Sequence, residues 1–313
     1  MLMFPRRPAS WSHIMHSFFR VNRFSFLAFL ALSIASQAAE IQPGRSNPFF
    51  AYCVGVGVEP SLAAPAAQRQ LAPMLADLGY DGMALATLDG AETQLAELEK
   101  NKQKLFAVYT PLNVDSGGRG YDPRLNELIP RLAGHGTTVW LFVTSRTHKP
   151  STTEGDDRAV ELLRQLSDFA QPYGVQFSLY PHRGNYAQRM EDAVRLAKKV
   201  DRKNVGVTFT FCHFLALDDA KNLDHVLELA RPYLNMAVIN GTDGYDAKNV
   251  SVWIKTLDQG RFDVSSVLKA LRKIDYSGPI GIICYGIHGD RREILARSMK
   301  GWKEISAKAT KER

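Results

Sequence analysis

Residues 175–211, VQFSLYPHRGNYAQRMEDAVRLAKKVDRKNVGVTFTF, hold the pattern on which the fold turns. Two short apolar runs, 175–180 and 205–211, flank a segment in which Met190, Ala193, Val194 and Ala197 recur at i, i+3, i+4 and i+7. That spacing lays four apolar side chains along one helical stripe. The flanking runs are nearly continuous in apolar residues, as strands are when both faces are covered. Strand, covering helix and strand in this order make a right-handed crossover between parallel strands.

The same unit recurs in both directions along the chain. Further strands are expected at 49–57, 82–87, 105–112, 138–144, 236–240 and 280–285. Helical stripes lie between them, for example Leu71, Met74, Leu75, Leu78 and Leu125, Leu128, Ile129, Leu132. Others are Ala159, Leu162, Leu163, Leu166 and Leu223, Val226, Leu227, Ala230. Val264, Val267, Leu268, Leu271 and Leu295, Ser298, Met299, Trp302 complete the series, and only 91–100 is weakly patterned. Eight such units fit a single α/β domain, a closed (β/α)8 barrel, for which about 250 residues is usual. An open doubly wound sheet is the alternative. It lacks support because Gly55-Val56-Gly57 is followed by Val58-Glu59-Pro60 rather than by the third glycine of a dinucleotide turn.

The chain ahead of the first strand has a different character. Arg6, Arg7, Arg20 and Arg23, with no acidic residue among them, precede the apolar run 24–34, FSFLAFLALSI, and then Ser36-Gln37-Ala38. A basic start, a short apolar stretch and small residues at a cleavage point form the pattern of a secretory signal. The run is too short to cross a bilayer as a helix. Residues 1–38 are therefore expected to be a signal peptide, 39–48 a short tether, 49–306 the barrel and 307–313 a charged end. Retention of 1–38 as an anchor is the alternative. The expected location is periplasmic or secreted, with no stable membrane span once the signal is removed.

Of 313 residues, 45% are hydrophobic and 23% charged, a globular composition. The net charge of +7 falls to +3 without the four arginines of the leader, which gives no reason to expect a nucleic-acid partner. Three cysteines, Cys53, Cys212 and Cys284, lie in apolar runs. An odd number leaves at least one thiol unpaired, so a disulfide scaffold is excluded and buried small hydrophobes are expected.

A barrel of this kind keeps its site at the C-terminal ends of its strands. The residues there include Tyr180, His182 and Arg183 after the fifth strand, Thr210 and His213 after the sixth, Asn240 and Asp243 after the seventh, and Tyr285 after the eighth. Arg146 follows the fourth and, with Arg119, Lys149 and Arg183, is a candidate anion clamp. His182, His213 and Asp243 are the candidate catalytic residues. Tyr180, Arg183, Thr210, Asn240, Tyr285 and Arg146 are the candidate substrate contacts. Such a polar, His-rich rim suits a polyhydroxylated small molecule, an anionic carbohydrate included. The glycines of 116–120 and the stretch 242–259 are candidate lids, with Trp253 and Tyr245 placed to stack on a sugar ring. Asp290, in Asp290-Arg-Arg-Glu293, is expected to cap a helix.

The chain resembles the xylose isomerase-like barrels, a family of sugar phosphate isomerases and epimerases. The resemblance is carried by Leu179-Tyr180-Pro181-His182, similar to Leu-Glu-Asn-His, and by Gly206 to His213, similar to Gly-x-x-x-Asp-x-x-His. Asp258-Gln-Gly-Arg-Phe-Asp263 and the junction Tyr276-Ser277-Gly278-Pro279-Ile280 add to it. It implies proton transfer next to a sugar carbonyl, with a divalent metal (Mn, Mg or Zn) held at the ends of strands five to eight. Carried over by position, the four ligands fall on Tyr180, Thr210, Asn240 and about Ile283, which match none of them. No residue is therefore assigned to metal binding. Two further readings stay open: a non-catalytic carbohydrate-binding barrel, and a metal-independent lyase or hydrolase using His182, His213 and Asp243. The fold also hosts DNA-repair endonucleases, whose dense His, Glu and Asp ligand cluster is thinned here.

Overall fold

Alternating side chains decide how the barrel fills. In the computed structural model, which describes residues 47–52, 54, 65–115 and 117–311, the first strand, β1 (Phe49–Tyr52), sends Phe50 and Tyr52 inward and Phe49 and Ala51 outward. The others are β2 (Gly82–Leu85), β3 (Lys104–Asn113), β4 (Thr138–Thr144), β5 (Gln176–Leu179), β6 (Val205–Thr210), β7 (Leu234–Ile239) and β8 (Ile280–Ile283). Period two divides the strands in the same way, except at a bulge in β3 where Phe106 and Ala107 both face inward. All eight are parallel and pair in chain order, and β1 closes on β8 through the register Phe50↔Gly281. The structure is the (β/α)8 barrel that the repeated unit predicts.

Among the described residues, eight helices cover the outside: α1 (Pro65–Leu78), α2 (Ala91–Lys100), α3 (Leu125–Arg131), α4 (Asp156–Ala170), α5 (Met190–Val200), then α7 (Leu223–Ala230), α9 (Ser265–Lys273) and α10 (Arg291–Lys311). Two short helices, α6 (Phe211–Leu215) and α8 (Val250–Trp253), lie after β6 and β7. The helical stripes read from sequence bury against the outer faces of the strands, with Leu71, Leu75, Leu163, Ala193 and Leu227 all inaccessible. Asp290 caps α10, its carboxylate accepting from Glu293 N at 2.8 Å. No helix of the described residues is long and apolar enough to cross a membrane.

Inside, Phe50 stacks on Phe106 at 4.7 Å and leans on Trp140 at 6.0 Å. Gly281 makes room for that ring, since a Cβ there would lie 2.5 Å from it. Tyr52 and Tyr180 occupy the next layer toward the C-terminal ends, each within 5.1 Å of Trp140.

The differences from expectation sit at strand ends. Residue 211 opens α6 instead of ending β6, and β8 stops at Ile283, ahead of a turn in which Gly286 has φ 71°. The segment 307–311, read as a charged end, continues α10. The proposed leader, most of the tether and Cys53 lie outside the described residues. Cys212 and Cys284 are buried and unpaired, and burial pushes both thiols up to about 12, as inert packing residues require.

Candidate functional site

The C-terminal mouth of the barrel holds a cavity of about 320 Å³. Its walls are Tyr52, Val54, Tyr109, Tyr180, His182, Arg183, Cys212, His213, Trp253, Ile254, Ile283 and Tyr285. Five of the sequence candidates therefore meet in one place: Tyr180, His182, Arg183, His213 and Tyr285.

Local folding puts the two imidazoles together. After β5, Tyr180 N donates to Leu141 O at 2.9 Å, so that its side chain stays in the inward register. The chain then turns on itself, with His182 N donating to Ala187 O and Asn185 N to His182 O, and this tight loop presents His182 to the mouth. His213 arrives from the other side on the single turn of α6. The two rings lie 4.0 Å apart between centroids, inclined by 47°. The Nδ1–H of His182 donates to Arg183 O at 2.9 Å, which assigns the tautomer and leaves Nε2 with its lone pair. Nδ1 of His213 is buried without a hydrogen-bond partner among the described residues.

Both rings are neutral at neutral pH. Burial is the main cause of the lowered His213 pKa, with the neighbouring His182 and the Arg183 charge acting in the same direction. Burial also lowers His182, against the opposing bond to Arg183 O. A pair of neutral imidazoles supplies proton acceptors rather than the acid and base of a charged pair. Three phenols line the cavity with them, Tyr180 meeting His213 edge-on at 6.2 Å. Burial raises the pKa of Tyr52, Tyr109 and Tyr180, so each remains a hydrogen-bond donor throughout the physiological range. The Tyr180 hydroxyl is buried and has no hydrogen-bond partner among the described residues.

Trp253 closes one side. Its Nε1–H donates to Cys212 O at 2.7 Å, and its ring meets His213 edge-on at 5.7 Å and Tyr245 at 5.2 Å. The expected lid 242–259 is thus tied to the barrel. Gly241 and Lys255 exchange two backbone hydrogen bonds, and Asn240 Nδ2 donates to Trp253 O at 3.0 Å.

The remaining candidates are engaged elsewhere. Thr210 donates to Pro181 O at 3.0 Å and faces a small adjoining pocket instead of the main cavity. Asn240 is buried and spends its amide on Gly241 O and Trp253 O. Asp243 does not join the histidines: it pairs with Lys255 at 3.1 Å and accepts from Arg261 N at 2.8 Å. Those bonds, that to Lys255 foremost, hold its carboxyl below the usual carboxylate range. The clamp of four cations does not assemble either. Arg146 is 92% exposed and lines a separate groove with Arg119, while Arg183 alone reaches the cavity. Sequence reasoning missed Tyr52 and Tyr109. For Tyr52 the signal was present, since it shares the inward face with Phe50; for Tyr109, in the middle of β3, there was none.

Residues 73–305 match the xylose isomerase-like TIM barrel family, and the chain belongs to it. The family is of the sugar isomerase and epimerase type. Inosose isomerase of Bacillus subtilis (strain 168) is 28% identical over 130 residues, 40% of this chain and 45% of that protein. The chain thus matches less than half the length of that relative. The 3-keto-D-glucoside 4-epimerase YcjR of E. coli superposes with a TM-score of 0.65 at 15% identity, covering 84% of this chain and 100% of that one. A xylose isomerase-like TIM barrel protein from Mycobacterium smegmatis, in complex with magnesium, superposes with a TM-score of 0.60 at 16% identity, covering 84% and 97%.

The donors at this mouth do not fit such an ion. Magnesium takes oxygen donors, carboxylates foremost, in near-octahedral geometry, and zinc sites use at least three protein ligands. Among the described residues, the cavity walls offer two imidazoles, neutral phenols and one guanidinium, with no carboxylate. Among the described residues, no three His, Cys, Asp or Glu side chains group closely enough to hold a metal.

Proposed function

We propose that the barrel binds a carbohydrate in its mouth cavity and transfers a proton next to the sugar carbonyl, with imidazole and phenol groups standing where relatives use carboxylates and a metal. The observation that carries this reading is the neutral His182–His213 pair, 4.0 Å apart, across a cavity that Tyr52, Tyr109 and Tyr180 line with phenols.

In this scheme Nε2 of His182 accepts the proton from the carbon adjacent to the carbonyl. The C–H electron pair moves into the new carbon–carbon double bond, and the carbonyl electrons move to oxygen. Tyr180 donates a hydrogen bond to that oxygen, which is stronger for the enolate than for the ketone. Returning the proton from His182 to the former carbonyl carbon, as the hydroxyl proton of the adjacent carbon passes to the enolate oxygen, gives an isomer. Arg183 O holds the tautomer by accepting from Nδ1–H. Trp253 and Tyr285 supply apolar faces for the sugar ring.

The test is solvent exchange. In D2O, with chelator present, the protein is expected to place deuterium on a ketose or aldose at the carbon beside the carbonyl, as followed by proton NMR. His182→Ala should slow exchange by about 10²–10⁴, the usual worth of a general base. Metal-dependent exchange that chelation abolishes refutes this mechanism.

A second reading, a non-catalytic sugar binder, is favoured by the lack of a carboxylate among the described residues of the cavity walls. It predicts saturable sugar binding without any deuterium uptake.

A further inference from the structure

The charge inventory of the cavity is one-sided. Among the described residues, its walls carry one guanidinium, two imidazoles and four phenols, with no aspartate or glutamate. Neutral sugars present hydroxyls that both donate and accept, and carboxylates are the usual partners for the donated protons. Acceptors here are confined to ring nitrogens and phenol oxygens, whereas donors are plentiful. The Tyr180 hydroxyl, in a residue only 2% exposed, has no hydrogen-bond partner among the described residues. The Arg183 guanidinium lies 5.2 Å over the Tyr245 ring and forms no ion pair among the described residues. Its stacking on that ring fixes the plane of the fork while leaving its N–H groups available.

We propose that the natural ligand of this cavity is an anionic monosaccharide carrying a carboxylate, whose carboxylate pairs with Arg183 at the rim while its ring lies among the phenols and Trp253. This rests on the carbohydrate reading above and deepens it. A planar carboxylate matches one guanidinium fork, with two parallel N–H···O bonds. A phosphate dianion draws on more cations, and the other candidates, Arg119 and Arg146, line a different groove. The volume of about 320 Å³ suits one sugar ring and lies at the small end of ligand sites.

Titration calorimetry on the full chain tests the assignment, with D-glucuronate and D-galacturonate set against D-glucose, D-galactose and D-glucose 6-phosphate. One uronate should bind about tenfold or more tighter than its parent hexose, and the preference should shrink severalfold at high salt, as screening of a partly exposed pair requires. Arg183→Ala should remove most of the preference, and Arg183→Lys should restore only part of it, because an ammonium keeps the charge but not the fork. Salt dependence in the unmutated protein keeps the test independent of how the variants fold. Equal binding of uronates and hexoses overturns the anion assignment and leaves the carbohydrate reading standing. Preference for the phosphate overturns it in favour of a different anion. Failure of every uronate, hexose and ketose in a wider panel to bind overturns both.

Discussion

His213 shows how one side chain couples the site to stability. It is 6% exposed, and burial holds its pKa well below the ordinary imidazole value. In the unfolded chain it takes up a proton near pH 6.5. Below that pH the unfolded state therefore binds more protons than the folded one, and stability falls as the pH drops. The melting temperature is expected to decline from pH 7 to pH 5, with His213→Gln showing a shallower decline than the unmutated protein in calorimetric scans. An equal slope in both would show that His213 takes its proton without penalty. The same residue marks what could be read in advance. Its place after the sixth strand was legible, because the apolar run 205–211 ends there. The turn of helix that lowers it onto His182 was not, since residues 211–215 read equally well as the end of a buried strand.

At the scale of elements, the loop between β5 and α5 matters most, because it carries both His182 and Arg183. Its anchor is a buried polar network. The Tyr186 hydroxyl donates to Asp156 at 2.7 Å and accepts from Gly155 N at 2.9 Å, while Arg195 and Lys199 complete the shell of Asp156. Tyr186→Phe keeps the ring and leaves the Gly155 N–H buried without its acceptor, at a cost of about 1–3 kcal/mol. Urea denaturation should show a lower midpoint with an unchanged m-value, and affinity for the proposed carbohydrate ligand should fall because the loop loses its tether. A loss of stability with full affinity would mean that the loop holds its shape without Asp156. Elements of this kind were only half visible in the sequence. The strands and covering helices follow from apolar period, which depends on neighbours a few residues away. The network depends on groups 30 to 43 positions apart, from Tyr186–Asp156 to Lys199–Asp156, and no local pattern encodes it. For the same reason Asp243 read as a catalytic candidate: its position after β7 was correct, but its partners, Lys255 and Arg261, lie further along the same loop.

For the whole molecule, closure of the barrel and the shape of the mouth are one packing problem. Phe50 fills the interior where β1 meets β8, directly opposite Gly281. Tyr52 rests one layer above on Trp140, and Trp140 in turn touches Tyr180 at the cavity wall. Gly281→Ala adds a methyl that would sit 2.5 Å from the Phe50 ring, so the ring or the strand must shift. Overpacking of this sort costs about 1–3 kcal/mol. Phe50→Leu alone opens a void and is also destabilising. Combined, the two changes relieve each other, and the double variant should lose at least about 0.5 kcal/mol less than the sum of the singles in chemical denaturation. Strict additivity would show that ring and glycine are not in forced contact. The strain also has a route to the site: if the ring yields toward Phe106, Trp140 and the two tyrosines above it move with it. Gly281→Ala is therefore expected to weaken binding of the proposed carbohydrate ligand from a position below the cavity, with Phe50→Leu restoring part of the affinity as it restores the packing.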